Sequence, residues 1–170
     1  MLELLKKENI IEIFTFEVEN KSYFEKNLPH RPRGYFEMET FNEIMKEIIE
    51  EQGMGLCYMH IIRNEDNKMI GRINLSTFKN EKNELIWTLG YRMDQNANGK
   101  GYCSKAIKEV LKIAKEKYKI DKIMAGTAPE NKASQRVLEK NGFKYLETIK
   151  DDFEINGVMV DTKLYSITLQ

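Results

Sequence analysis

Between Glu84 and Ala114 the apolar period of the chain changes from two to 3.6 across a short glycine loop. Upstream, Glu84 to Met93 reads as a strand. Downstream, Ala106, Ile107, Val110, Leu111 and Ala114 form one helical stripe, and the lysines and glutamates from Lys105 to Lys119 form a solvated face. The join runs Gly90-Tyr-Arg-Met-Asp-Gln-Asn-Ala-Asn-Gly-Lys-Gly-Tyr-Cys-Ser-Lys-Ala106. Strand, loop and helix in succession predict an α/β domain and place unpaired backbone N–H groups where the helix dipole favours an anion. Gly99 and Gly101 let the backbone approach a phosphate with no Cβ in the way. Three or four charge-assisted hydrogen bonds, about 1.5–3 kcal/mol each, could hold a pyrophosphate without a metal. On its own the loop also admits a plainer reading, in which two glycines simply turn a strand into a helix. Two other phosphate motifs fit poorly. A P-loop needs Gly-Lys-Ser/Thr, whereas Gly99-Lys100 continues with Gly101, and a dinucleotide fingerprint wants glycine where Ser104 stands.

The flanking elements give the rest of the α/β (α+β) pattern. A helix is expected between Glu8 and Leu28, broken by Leu28-Pro-His-Arg-Pro-Arg-Gly34. Phe41, Ile44, Met45, Ile48 and Ile49 make a second helical stripe, with Thr40 and Glu43 spaced as a capping box and Gly53 and Gly55 closing it. Leu56 to Ile62, Met69 to Phe78 and Glu84 to Met93 read as an antiparallel meander. Ile123 to Ala125 reads as a short buried strand. Lys132 to Asn141 reads as a helix with Ala133, Val137 and Leu138 inward. Phe143 to Ile149 and Val160 to Leu169 are strands around Asn156-Gly157, a strong type I′ hairpin signal. With no repeat, linker or low-complexity tract, residues 1–170 are expected to form one domain.

Charge narrows the function. Lysine plus arginine equals aspartate plus glutamate, 27 to 27, so no basic excess points to direct nucleic-acid binding. No stretch approaches the roughly 18 apolar residues of a membrane span, and the N-terminus lacks the order of a signal peptide. Cys57 and Cys103 are too few for a disulfide scaffold and lack metal-ligand spacing, so a soluble, cytoplasmic protein is expected.

A second informative stretch runs Asn131-Lys-Ala-Ser134-Gln-Arg-Val137-Leu138-Glu139-Lys140-Asn141-Gly142-Phe143. On a helix Asn131 and Ser134 share one edge, suited to a ligand lying along it. They equally suit a cap and a solvated first-turn residue. Gly-x-Gly opening one helix, followed about thirty residues later by Asn-x-x-Ser-x-x-Val-Leu-Glu-Lys-x-Gly-Phe, resembles the GNAT N-acetyltransferase superfamily. The likeness is greatest to its RimJ/RimL branch of ribosomal-protein N-terminal acetyltransferases, is strong from Glu84 to Phe143, continues to Asp161 and Tyr165, and is loose before residue 55.

That resemblance implies a GNAT-like fold, a central mixed and mostly antiparallel sheet splayed into a V, with acetyl-CoA in the cleft and CoA as product. It implies that the backbone at Tyr91, Arg92 and Met93 pairs with the pantetheine arm. Asn98, Gly99, Lys100, Gly101, Tyr102, Cys103 and Ser104 would hold the pyrophosphate. Asn131 would contact the pantetheine, Ser134 would lie near the sulfur as acid or thiolate stabiliser, and Lys140 and Phe143 would flank the nucleotide. A homodimer is common in that family. Asn98 departs from the usual Gln or Arg, Cys103 from the usual Gly or Ala, and Thr88 from a glutamate that commonly acts as base through water. The nearest strand acid, Glu84, is four residues earlier, which leaves the base unassigned.

An acceptor amine must be neutral to attack. At pH 7 an α-amine is roughly a tenth neutral and a lysine below about 0.1%. Thr88 therefore points to an α-amine, in line with a ribosomal or other protein N-terminus as partner. Direct transfer is expected because neither cysteine has a convincing activating base. Small amines remain alternatives (a polyamine held by Glu47, Glu50 and Glu51, an antibiotic, an amino acid), as does a CoA-binding module that no longer catalyses. Tyr102 and Tyr145 are alternative acids to Ser134. His30, Arg31 and Arg33 either line the acceptor cleft or form an exposed basic turn. His60 reads as packed or solvated, Trp87 and Tyr91 as core, and Cys103 as a small filler that could instead form a mixed disulfide with CoA.

Overall fold

The shape of the molecule is decided where two parallel strands part. In the computed structural model, which describes residues 1–169, β4 (Leu85–Met93) runs parallel to β5 (Lys122–Thr127). They pair only at Trp87 with Ile123 and Thr88 with Met124. Beyond those residues the strands diverge, so a V opens at their carboxyl ends, the side of a parallel pair on which ligands bind in open α/β sheets.

Every other pairing is antiparallel. Sequence order gives β1 (Leu2–Leu4), β2 (Cys57–Arg63), β3 (Met69–Lys79), β4 and β5, then the hairpin β6 (Lys144–Ile155) and β7 (Val158–Thr168). In space the order is β1-β2-β3-β4-β5-β7-β6. The GNAT-like mixed, mostly antiparallel sheet expected from the sequence is present.

Strand alternation sorts side chains onto two cores. Leu89 and Met93 of β4 pack with Ala106, Ile107, Val110, Leu111 and Ala114 of α4 (Tyr102–Glu116) and with Leu138 of α5 (Lys132–Lys140). On the other side, Met59 and Ile61 of β2 meet Ile13 and Phe16 of α1 (Ile10–Glu19), Phe24 of α2 (Lys21–Phe24), and Phe41 and Met45 of α3 (Met38–Gly53). Burying a side chain of this size contributes about 1.5–3 kcal/mol.

Several expectations need correction. The helix between Glu8 and Leu28 is interrupted at Asn20, whose amide donates to the Phe16 carbonyl at 3.1 Å and to Asp94 at 3.3 Å, while its Oδ1 accepts from the Gln95 N–H at 3.2 Å. That buried asparagine ties the helix end to the loop after β4. Thr40 is not a cap: α3 begins at Met38, with Glu37 at the cap position, and the Thr40 hydroxyl packs over Gly34. In α5 it is Gln135, not Ala133, that turns inward, because its amide donates to the Ala128 and Pro129 carbonyls at 3.2 and 2.8 Å. β6 continues past Ile149 through an irregular step near Asp151. β1 was not expected; its three residues are too short to show alternation. Among the described residues no helix is long and apolar enough to cross a membrane.

Candidate active site

The loop after β4 is built from local capping. Asp94 accepts from the Asn96 N–H at 2.7 Å and starts a single 3-10 turn, Gln95–Ala97. Gly99 and Gly101 then adopt φ of +75° and +80°. No neighbour stands within 4 Å of where a Cβ would point at either glycine, so the left-handed backbone, rather than crowding, requires glycine there. α4 starts directly after Gly101 with no side chain capping it, which leaves the first-turn N–H groups of this helix for an anion.

Side chains around the loop have other partners. The Asn98 amide donates to the Tyr23 hydroxyl at 2.8 Å, and the Tyr102 hydroxyl donates to Glu65 at 2.5 Å. Ser104 Oγ accepts from the Asn141 amide at 3.0 Å. Lys100 is exposed, and burial pushes the Cys103 thiol up to about 12. Backbone N–H groups are therefore the donors this loop offers to an anion, with Lys100 adding charge.

Inside the V lies a cleft of about 490 Å³. Its walls are Leu89 to Arg92 of β4, Gly126 to Ala128 at the end of β5, Asn131 and Ser134 of α5, Asn27 to Pro29 with Arg31, and Asp152, Phe153 and Thr162 of the β6–β7 hairpin. Asn131 caps α5 by accepting from the Ser134 N–H at 3.0 Å. Ser134 Oγ meets the Tyr91 hydroxyl at 2.6 Å, and burial pushes the Tyr91 phenol above its ordinary range, so it stays protonated. Tyr91 thus gives the cleft a hydroxyl as well as filling the core edge.

Two expected nucleotide neighbours separate. Lys140 is exposed on α5, whereas Phe143 is 3% exposed in the core beside α4 and α5, leaving no free face for a nucleotide. Arg31 reaches the cleft wall. His30 instead bonds Asn156 at the hairpin tip, at 2.8 Å, and Arg33 is exposed. His60 is packed against Tyr118, with burial lowering it to about 4.

Thr88 donates to the Ser76 carbonyl at 3.1 Å and lies outside the cleft lining, and Glu84 sits at the far end of β4, bonded to Asn80. Neither supplies a base. The acid in the cleft lining is Asp152, which accepts from the Thr162 hydroxyl at 2.6 Å. Sequence reasoning missed it because Lys150-Asp-Asp152 looks like a polar turn.

Sequence reasoning also missed a charged cluster. Glu17, 0% exposed, accepts from Arg72 Nε at 2.6 Å and Arg31 Nη2 at 3.2 Å, with Arg92 at 3.6 Å. Burial pushes the Glu17 carboxyl up, and the charges of Arg31 and Arg92 pull it down.

A family model described as an acetyltransferase (GNAT) domain matches residues 3–144. The chain belongs to the GNAT acetyltransferase family. It is 30% identical over 150 residues to a probable N-acetyltransferase of Bacillus subtilis, covering 88% of this chain and 82% of that protein. Its fold is shared with a ribosomal-protein-S5-alanine acetyltransferase from Vibrio fischeri, at a TM-score of 0.90 and 22% identity, covering 99% and 92% of the two chains. It is shared too with a RimL ribosomal α-N-protein acetyltransferase solved with coenzyme A, at a TM-score of 0.87 and 20% identity, covering 99% and 94%.

As a GNAT enzyme the chain is an N-acetyltransferase that uses acetyl-CoA. The site fits that group: an uncapped helix start behind a left-handed glycine loop suits a pyrophosphate, and the splayed end of β4 has backbone groups that β5 does not pair. The cleft has one arm formed by β4 and another by β5 and the β6–β7 hairpin.

Proposed function

We propose that this protein transfers the acetyl group of acetyl-CoA directly to the α-amine of a protein N-terminus, the observation carrying this being Thr88. Its hydroxyl is spent on the Ser76 carbonyl, so β4 offers no acid to take a proton from an incoming ammonium, and Asp152, on the opposite arm of the cleft, already accepts from the Thr162 hydroxyl. An acceptor that is already partly neutral suffers least from that lack, and an α-amine is about two orders of magnitude more often neutral at pH 7 than a lysine. The fold shared with ribosomal-protein N-terminal acetyltransferases supports the same reading.

Acetyl-CoA supplies the activated thioester. In this reading Gly99 to Ser104 hold its pyrophosphate through backbone N–H groups, and Tyr91, Arg92 and Met93 hold the pantetheine arm through their backbone, with Asn131 beside it. Lys140 is left at the nucleotide end. Ser134, kept in place by the Tyr91 hydroxyl, donates a hydrogen bond to the departing sulfur. Burial holds Cys57 up to about 11 and Cys103 up to about 12, so both remain thiols at neutral pH. Neither is suited to carry the acetyl group covalently.

A polyamine fits less well, because three arginines face the cleft and would repel it. The test is mass spectrometry of peptides with a free N-terminus beside the same peptides N-terminally blocked and carrying one lysine. The reading requires acetylation of the first set. Faster modification of the lysine set overturns it.

A further inference from the structure

Arg72 and Arg92 are direct partners across β3 and β4, and Arg31 joins them from the loop after α2. All three line the cleft, with only Glu17 of α1 among them. Three positive charges and one negative leave this wall at +2. A protonated Glu17 would leave it more positive still, so the sign does not depend on that carboxyl. One arginine would satisfy a buried carboxylate; gathering three desolvates like charges side by side, which costs stability. Arg31 and Arg92 are held in place over the rings of Tyr35 and Phe24, at 4.6 and 4.9 Å.

Unused hydrogen-bonding capacity lies in the same wall. Arg31 Nε is buried with no partner, and so is Asn74 Oδ1, on β3 opposite Gly90. Buried polar atoms are nearly always paired, and an orphaned pair of them in a cleft points to a ligand. Asp152 on the other arm gives the cleft the opposite sign there.

We propose that Arg31, Arg72 and Arg92 form an anion subsite on the acceptor side of the cleft, selecting a polypeptide acceptor with a side-chain carboxylate close to its amine. Arg92 and Gly90 face the α1 side of the sheet, while Tyr91 between them reaches Ser134. Arg92 lies two residues beyond Gly90, roughly 7 Å along the strand. With the peptide amine placed at Gly90, opposite the unpartnered Asn74 Oδ1, that span would bring an aspartate or glutamate within the first three residues to Arg92. The peptide part rests on the α-amine reading above; the anion site itself does not.

Calorimetry on CoA-loaded protein separates the two, using peptides beginning Ser-Asp-Asp, Ser-Asn-Asn and Ser-Lys-Lys. The acidic peptide should bind roughly 10- to 100-fold more tightly than the neutral one, and the gap should shrink with added salt. R31Q should remove most of that gap and R31K keep part of it. N74D, which adds a negative charge and removes no guanidinium, should also narrow it. Equal binding of acidic and neutral peptides, or a gap unchanged in both R31Q and N74D, overturns the subsite. If the acidic peptide binds with this dependence but releases no CoA in a turnover assay, the subsite stands and the α-amine reading falls.

Discussion

The hydroxyls of Tyr91 and Ser134 meet at 2.6 Å, joining β4 to the first turn of α5. They belong to the two elements that flank the mouth of the V, and Asn131 fixes the helix end beneath them. Burial keeps the phenol protonated, so it can donate to Ser134 Oγ and free the serine proton for a developing thiolate.

Removing that donor should slow the chemical step rather than weaken binding. S134A is expected to lose roughly 10- to 100-fold in kcat, the worth of one hydrogen bond to a charged group, with little change in KM for acetyl-CoA. Y91F, which leaves Ser134 in place but unsupported, should lose less. Steady-state CoA release checks both, and S134A with full kcat would remove the serine from the mechanism.

His60 should make stability depend on pH. It is 3% exposed, and burial, helped by Lys117, lowers it from 6.5 to about 4. Its folded pKa lies below its unfolded one, so between those values the unfolded state binds more protons and stability falls with falling pH. The contribution is fully present above about pH 6.5 and lost by about pH 4, a total of about 3 kcal/mol. Urea unfolding across that range should show the loss in the wild type and a flatter profile in H60Q.

G71A should disturb the cleft from behind. A Cβ on Gly71 would come within 2.7 Å of the Arg92 carbonyl and of Met93 Sδ. The first is backbone, so β4 must shift, at a cost of about 1–3 kcal/mol. Denaturant unfolding should show that loss, together with weaker acetyl-CoA binding if, as proposed, the end of β4 holds the pantetheine arm.

The glycine loop and α4 were legible because two periodicities adjoin there, and neither depends on distant contacts. The same holds for the meander and the Asn156-Gly157 hairpin, whose residues adopt φ of +51° and +80°. The arginine wall was not legible. Glu17 and Arg72 are 55 positions apart and meet only when α1 packs on β3. Asp152 was hidden by two charged neighbours in a strand that bends at Asp151. Asn20 read as ordinary helix, although its side chain stops α1 to hold the loop at Gln95.

The loop from Gly99 to Ser104 carries the central claim, and acetyl-CoA binding tests it most directly. Gly101 sits at φ +80° with its Cβ direction open, so glutamate there adds about 1–2 kcal/mol of left-handed strain and a negative charge in the proposed pyrophosphate loop. Calorimetric titration should give micromolar binding for the wild type and at least about 10-fold weaker binding for G101E. Equal affinities would contradict the assignment of the loop as the pyrophosphate site.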